Sequence, residues 1–296
     1  MTNETIKKLS SQGCIILENE PLSKHSSFKI GGPADFFINI PDNQALLAFL
    51  NENLNFFVLG GGTNVLFSDK GYKGIVVKLA GEFEKFYIEG SFVACGGGAH
   101  MASVIRAAAE NGLSGFECCA GIPGTIGGAV FGNAGSADYW ISDIIESAEI
   151  YSKAENGKWK AEILKKDDIG FQYRSSGLEN CVIAKVNFSL KKEAENDILK
   201  TISENIEKRK KSQPLNAANA GCIFKNPAGL SAGKLIDDAG LKGKKKGGAE
   251  ISGIHANFIV NNGNAKASDV LDLIYAARKT VKEKFNIDLE LEIKIL

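Results

Sequence analysis

Gly60-Gly61-Gly62-Thr63-Asn64-Val65-Leu66-Phe67 is the stretch on which the reading of this chain turns. A second glycine-rich stretch, Gly121-Ile122-Pro123-Gly124-Thr125-Ile126-Gly127-Gly128-Ala129, runs on to Asn133-Ala134-Gly135. Glycine lets backbone approach a ligand closely and adopt positive φ, so peptide N–H groups can face an anion. Two such segments suggest one extended, phosphate-bearing ligand held from two sides. Neither is an ordinary nucleotide motif. A Walker loop ends in Gly-Lys-Ser/Thr, and no such tripeptide occurs. A Rossmann fingerprint lies between a strand and a helix. Here the strand-like run Phe56-Phe57-Val58-Leu59 leads through the glycines into another, Val65-Leu66-Phe67. Either segment alone reads equally well as a turn; both together, each beside apolar strands, favour a ligand.

Composition narrows the partners. The 296 residues are 44% hydrophobic and 24% charged, with zero formal net charge. That is the profile of a globular protein, with no basic excess for a nucleic-acid or membrane-surface partner. The arginines are Arg106, Arg174, Arg209 and Arg278, so any bidentate clamp on a carboxylate draws on this short list. The N-terminus leads into no long apolar run, so a secretory signal is not expected. No stretch approaches the ~18 apolar residues of a membrane span. The cysteines (Cys14, Cys95, Cys118, Cys119, Cys181, Cys222) show no CxxC pair and no zinc spacing, so no metal is expected. Adjacent Cys118 and Cys119 are poorly placed for an ordinary disulfide. Reduced thiols in a cytoplasmic protein fit best, five of them as small buried apolar residues.

Along the chain, Pro41-Asp42 starts a helix expected over 43–53. Short strands are expected at 35–40, 56–59, 74–79 and 92–95. Gly96-Gly97-Gly98 opens a helix stopped by Asn111-Gly112. Strands follow at 147–152, 160–164 and 182–190, the first two joined by the turn Glu155-Asn156-Gly157-Lys158. From Lys191 the composition turns charged and helical in period, with Ile198, Ile202 and Ile206 on one face. A domain boundary is expected there. Beyond it come a helix over 231–239, a strand at 258–261, a long helix N-capped by Ser268, and a last alternating strand over 289–296.

Three short patterns carry candidate chemistry. In Phe171-Gln172-Tyr173-Arg174-Ser175-Ser176 the arginine suits a forked grip on a carboxylate, although a surface arginine is the commoner case. In Asn219-Ala220-Gly221-Cys222-Ile223-Phe224-Lys225-Asn226-Pro227 the thiol is either an acid or a structural cysteine. In Leu289-Glu290-Leu291-Glu292-Ile293-Lys294 the carboxylates face away from the leucines and are either catalytic or solvated.

Taken jointly, these segments resemble the UDP-N-acetylenolpyruvoylglucosamine reductase (MurB) family from Ser26 to Glu292. Phe28-Lys29-Ile30-Gly31-Gly32-Pro33-Ala34 and Gly233-Lys234-Leu235-Ile236-Asp237-Asp238-Ala239-Gly240-Leu241-Lys242-Gly243 add to the match. The resemblance implies an α+β protein. Residues 1–193 would form an FAD-binding domain of the vanillyl-alcohol-oxidase/PCMH type, with subdomains of about 1–80 and 81–193. Residues 194–296 would form a C-terminal α/β substrate domain. No tyrosine-rich insertion lies between Val186 and Lys211, which points to the shorter subclass.

By resemblance, FAD is bound and NADPH is co-substrate. Gly60, Gly61, Gly62, Thr63, Asn64, Val65, Gly121, Ile122, Pro123, Gly124, Thr125, Gly127, Gly128, Asn133 and Gly135 would hold the cofactor. The implied reaction turns an enolpyruvyl ether of UDP-N-acetylglucosamine into the lactyl ether. Arg174 would take the substrate carboxylate, Glu292 would assist there, and a proton must reach C2. The family's usual donor is a serine at the position of Cys222. This is the main departure: a thiol, with an ordinary pKa near ~8.5, is mostly protonated at neutral pH and can donate. Tyr173, Lys225, Asn226 and His255 are candidate substrate contacts. An oxidase of the same fold acting on a sugar or alcohol is the alternative. A nucleotide-sugar binding protein with a decayed flavin site is a third reading.

Overall fold

The computed structural model describes residues 1–136 and 139–296. The chain forms two compact units, each discontinuous in sequence. The first comprises 1–18, 36–61 and 74–207, and the second 19–35, 62–73 and 208–296.

In the first unit a sheet in the order Trp159–Lys165, Ile145–Lys153, Val182–Ser189, Phe92–Gly96, Phe86–Glu89 is antiparallel throughout. The helices Met101–Glu110 and Ile126–Phe131 supply Val104, Ile105, Ile126 and Val130 to its core, against Phe116 and Phe188. A second core gathers Leu46 and Phe49 of the helix Asn43–Leu50 onto Ile38, Ile40 and Val77. Asp42 Oδ1 accepts from Ala45 N at 2.9 Å and starts that helix as expected. The hairpin 153–159 turns at Gly157, with φ 77°, as its Asn-Gly signal requires.

The second unit is built around the helix Ala267–Phe285, which packs on the antiparallel strands Lys245–Lys246, Ala249–Ile251 and Ile259–Asn261. Its core takes Phe28, Ile30 and Leu66 in with Phe224, Ile236 and Val270. Full burial of a phenylalanine such as Phe28 or Phe224 contributes about 2–3 kcal/mol, which holds the N-terminal stretches to this unit.

The last changeover between the compact units falls at 207/208. Lys191–Lys192 pair with Leu113–Ser114, Ile202 packs on the first unit's core, and Asn205 Nδ2 donates to Glu117 O at 3.0 Å. The charged composition after Lys191 therefore marks the solvent face of the helix Glu195–Ser212. Ser268 does not cap the last helix. Asp69 accepts from Ala267 N and Ser268 N at 2.7 and 3.1 Å, and Asp269 accepts from Lys266 N at 3.0 Å. The helix begun at Asp42 ends at Leu50, short of 53. The final strand is confined to Lys294–Ile295, parallel to Val65–Leu66, with an isolated bridge between Leu291 and Phe224. All six cysteines are free thiols, but only Cys14, Cys95 and Cys119 are buried, against five expected. Burial pushes the Cys14 thiol up to about 11 and the Cys95 thiol to about 12, so both stay protonated at neutral pH. Among the described residues no helix is long and apolar enough to cross a membrane.

Candidate cofactor and active site

Within the first unit the two glycine stretches touch. A Cβ on Gly61 would lie 2.7 Å from Gly124 Cα, and one on Gly60 would lie 2.8 Å from Thr125 Oγ1. Side chains at 60 or 61 would force the loops apart. Gly121 and Gly124, with φ of 76° and 132°, turn the second stretch into the helix Ile126–Phe131. Thr125 caps that helix, its Oγ1 accepting from Gly128 N at 3.3 Å. Gly127 has an internal reason to be glycine: its N–H donates to Gly97 O at 2.8 Å, and a Cβ there would meet the same carbonyl. Among the described residues, the N–H groups of Gly60, Gly61 and Gly124 donate to no protein acceptor. Peptide donors of this kind, where bare glycine loops meet, fit the phosphates of a dinucleotide.

Arg174 sits in a two-residue turn. Gln172 N donates to Ser175 O at 3.0 Å, and Ser175 N to Gln172 O at 3.3 Å. At the second turn position Arg174 has φ 58°, a left-handed conformation that glycine or asparagine normally fills. An L side chain there costs about 1–2 kcal/mol. The turn is braced from outside. Asn133 Nδ2 donates to Gln172 O at 3.0 Å, and Ser176 Oγ to Phe131 O at 2.9 Å. Asn133, expected at the cofactor, is thus buried with its amide engaged by protein; Ser142 N donates to its Oδ1 at 3.3 Å. The Arg174 Nη1 donates to Gly135 O at 3.2 Å. Its Cζ lies 5.0 Å from the Trp140 ring centroid and 5.8 Å from that of Tyr173. The two rings meet edge to face at 5.6 Å.

Cys222, Lys225, Asn226, His255 and Glu292 all belong to the second unit. The segment carrying Cys222 runs between two others. On one side Cys222 bridges Phe258, and Ile223 N donates to Asn257 O at 2.8 Å. On the other, Glu292 N donates to Ile223 O at 2.8 Å and Lys225 N to Glu290 O at 2.9 Å. Asn257 grips the segment twice more, accepting from Phe224 N at 2.9 Å and donating to Phe224 O at 2.7 Å. It escaped the sequence reading. Its signal was an amide set between apolar Ala256 and Phe258, where a buried polar group must be hydrogen-bonded. The first glycine stretch reaches this place too. Asn64 Nδ2 donates to Glu292 O at 3.0 Å, and Lys294 N to Asn64 O at 3.1 Å. Asn64 therefore fixes the backbone of Glu292. Gly62, with φ 66°, is held from behind by Ser27, whose N–H donates to Gly62 O at 2.9 Å.

Lys225 is tied to Glu290 at 2.6 Å. Asn226 Oδ1 accepts from Ala232 N at 3.0 Å, so its NH₂ end has the polarity to meet an anion. His255 Nδ1 accepts from Asn257 N at 3.2 Å, and Cε1 lies 2.9 Å from where a Gly233 Cβ would be. Burial first, and then the charge of Lys242, hold this imidazole below its usual pKa. A neutral His255 with the proton on Nε2 is the form that accepts at Nδ1.

Comparison with known proteins follows this geometry. Residues 39–160 match a family model described as an FAD binding domain. Residues 213–296 match the UDP-N-acetylenolpyruvoylglucosamine reductase C-terminal domain. A UDP-N-acetylenolpyruvoylglucosamine reductase of Caldanaerobacter subterraneus subsp. tengcongensis is 41% identical, covering 99% of this chain and 97% of its own. One from Carboxydothermus hydrogenoformans is also 41% identical, covering 100% and 98%. The crystal structure of the reductase from Thermus caldophilus superposes with a TM-score of 0.82 at 36% identity, over 95% of this chain and 98% of that one.

Proposed function

This chain belongs to the UDP-N-acetylenolpyruvoylglucosamine reductase (MurB) family, and we propose that it reduces UDP-N-acetylglucosamine enolpyruvate to UDP-N-acetylmuramate for peptidoglycan synthesis. The observation that carries this is whole-length likeness, with an FAD binding domain and the reductase C-terminal domain in one chain. FAD, when bound, carries hydride from NADPH to the enolpyruvyl group. We assign its phosphates to the N–H donors of Gly60, Gly61 and Gly124, with Gly62, Thr63, Val65, Gly121, Ile122, Pro123, Thr125, Gly127 and Gly128 completing the cofactor-binding residues. The first, larger domain role then belongs to the FAD-binding part, and the substrate-binding role to the C-terminal part. Residues 186–211 hold only the end of a strand, a two-residue strand and a surface helix, in keeping with the short subclass.

The protein's own groups bind the substrate and move one proton. Arg174 takes the substrate carboxylate in a fork of charge-assisted hydrogen bonds. As negative charge grows at C2 and on that carboxylate, the guanidinium stabilises it. Glu292 shares a proton at the same carboxylate. Cys222 gives its Sγ–H proton to C2. The NH₂ of Asn226 meets the diphosphate, with Lys225 beside it, and Tyr173 contacts the substrate. His255, as a neutral imidazole, holds the turn that precedes Asn257. Zero net charge and six free thiols support a cytoplasmic enzyme with a small-molecule substrate and no nucleic-acid or membrane partner. The oxidase alternative loses its ground, because likeness to the reductases runs through the C-terminal domain as well as the FAD binding domain.

The test is NADPH oxidation by the purified protein with and without UDP-N-acetylglucosamine enolpyruvate; the reductase reading requires substrate-dependent turnover. In heavy water the product of the native enzyme should carry deuterium at C2. Cys222→Ser should remain active, whereas Cys222→Ala should lose about 10²–10⁴-fold in turnover. Undiminished turnover in Cys222→Ala would remove the thiol from the reaction.

A further inference from the structure

Among the described residues of the first unit, Gly135, Trp140 and Tyr173 stand around the Arg174 guanidinium, the first two from one pair of short strands. Gly135 and Trp140 are cross-strand partners in the pairing of Gly135–Ser136 with Tyr139–Trp140. Gly135 offers its carbonyl to Nη1 at 3.2 Å, and Trp140 sets its ring 5.0 Å from Cζ. Tyr173, on the turn itself, closes the third side at 5.8 Å.

The backbone that carries the indole is fixed. Trp140 N donates to Asp143 Oδ2 at 2.8 Å, at the start of the short helix Ile141–Ile144. A Cβ on Gly135 would clash with Tyr139 O and Trp140 Cα and lie 3.0 Å from the ring, so glycine lets the two short strands, and the indole with them, approach this closely. The Tyr173 ring meets it edge to face at 5.6 Å. A guanidinium beside an indole face is attracted by the ring quadrupole, most strongly where water is excluded. Tyr173 is 44% exposed and so contributes the weaker, better hydrated face.

We propose that Trp140 is a positioning residue for the reaction: through its ring it holds the Arg174 guanidinium in the orientation that receives the substrate carboxylate. This rests on the role given to Arg174 above. Arg174 stands on a left-handed turn that sets where its side chain starts; the Gly135 carbonyl and the Trp140 ring set where it ends. Without the ring the guanidinium keeps its charge but loses one restraint, and more of its ordering falls to the substrate. The loss therefore shows first in KM, with a smaller fall in kcat.

A double-mutant cycle on the FAD-loaded enzyme tests this, with Trp140→Leu, Trp140→Phe, Arg174→Lys and the Trp140→Leu/Arg174→Lys pair. Trp140→Leu should lower kcat/KM by roughly 5- to 30-fold, mostly through KM. Trp140→Phe, which keeps an aromatic face, should restore most of it. In the Arg174→Lys background, Trp140→Leu should cost far less than in the native one, because the ring acts through the guanidinium. Equal losses in both backgrounds, or Trp140→Phe no better than Trp140→Leu, would overturn the proposal. Failure of the underlying reading looks different: Arg174→Lys alone would then leave kcat/KM unchanged, whatever Trp140 does.

Discussion

At Arg174 two demands conflict, and the structure shows which one wins. Turn geometry asks for glycine at φ 58°, and the chain places a long cation there. Arg174→Gly should relieve the backbone while deleting the charge, and Arg174→Ala should delete the charge and keep the strain. Urea unfolding should find the glycine variant more stable than the alanine variant by about 1 kcal/mol, with both variants inactive. Equal stability would mean the left-handed turn carries no strain. His255 makes a second residue-scale case. Its folded pKa is depressed, so between that value and the unfolded value near ~6.5 the unfolded chain binds the extra proton. Stability from the neutral imidazole is therefore complete above that range and declines as pH falls through it. Unfolding midpoints measured from pH 7 to pH 5 should fall less steeply for His255→Gln than for the native chain.

At the scale of elements, local signals read well where the partner is local. Asp42 starts its helix, Asn111-Gly112 stops the next, and Gly157 turns its hairpin, each using groups within a few residues. Ser268 misled for the complementary reason. A serine near a helix start is a fair cap, but Asp69, remote in sequence, brings a full carboxylate to the same N–H groups. No local pattern reveals such a cap. Asp69→Ala should destabilise the protein by about 1–2 kcal/mol in chemical unfolding, and Ser268→Ala by much less. The reverse order would restore Ser268 as the cap. Glycines behave similarly. The two glycine-rich stretches stand out in the sequence; that they touch each other at Gly61 and Gly124 does not. Gly61→Ala should separate them and lower the FAD content of the purified protein, read as the ratio of flavin to protein absorbance, with circular dichroism unchanged. Full flavin content in that variant would take this contact out of cofactor binding.

Across the molecule, the candidate residues came from short patterns that were weak singly and specific in combination. The chemistry proposed for them rests on residue type, because an arginine, a thiol and a carboxylate each have few catalytic uses. What holds them was hidden. Asn257 clamps the Cys222 segment, Asn64 fixes the Glu292 backbone, and Asn133 braces the Arg174 turn, all through amide contacts between distant parts of the chain. The charged run after Lys191 looks like a linker in composition, whereas in the structure it is the solvent face of a helix. The central claim is that this chain passes hydride from NADPH to an enolpyruvyl ether and needs no oxygen to do so. Its most direct test is the visible flavin absorption of the FAD-loaded protein under strict exclusion of oxygen. NADPH should bleach it, and UDP-N-acetylglucosamine enolpyruvate should then restore it in full. A flavin that stays bleached with the substrate and recovers only when air is admitted would contradict that claim.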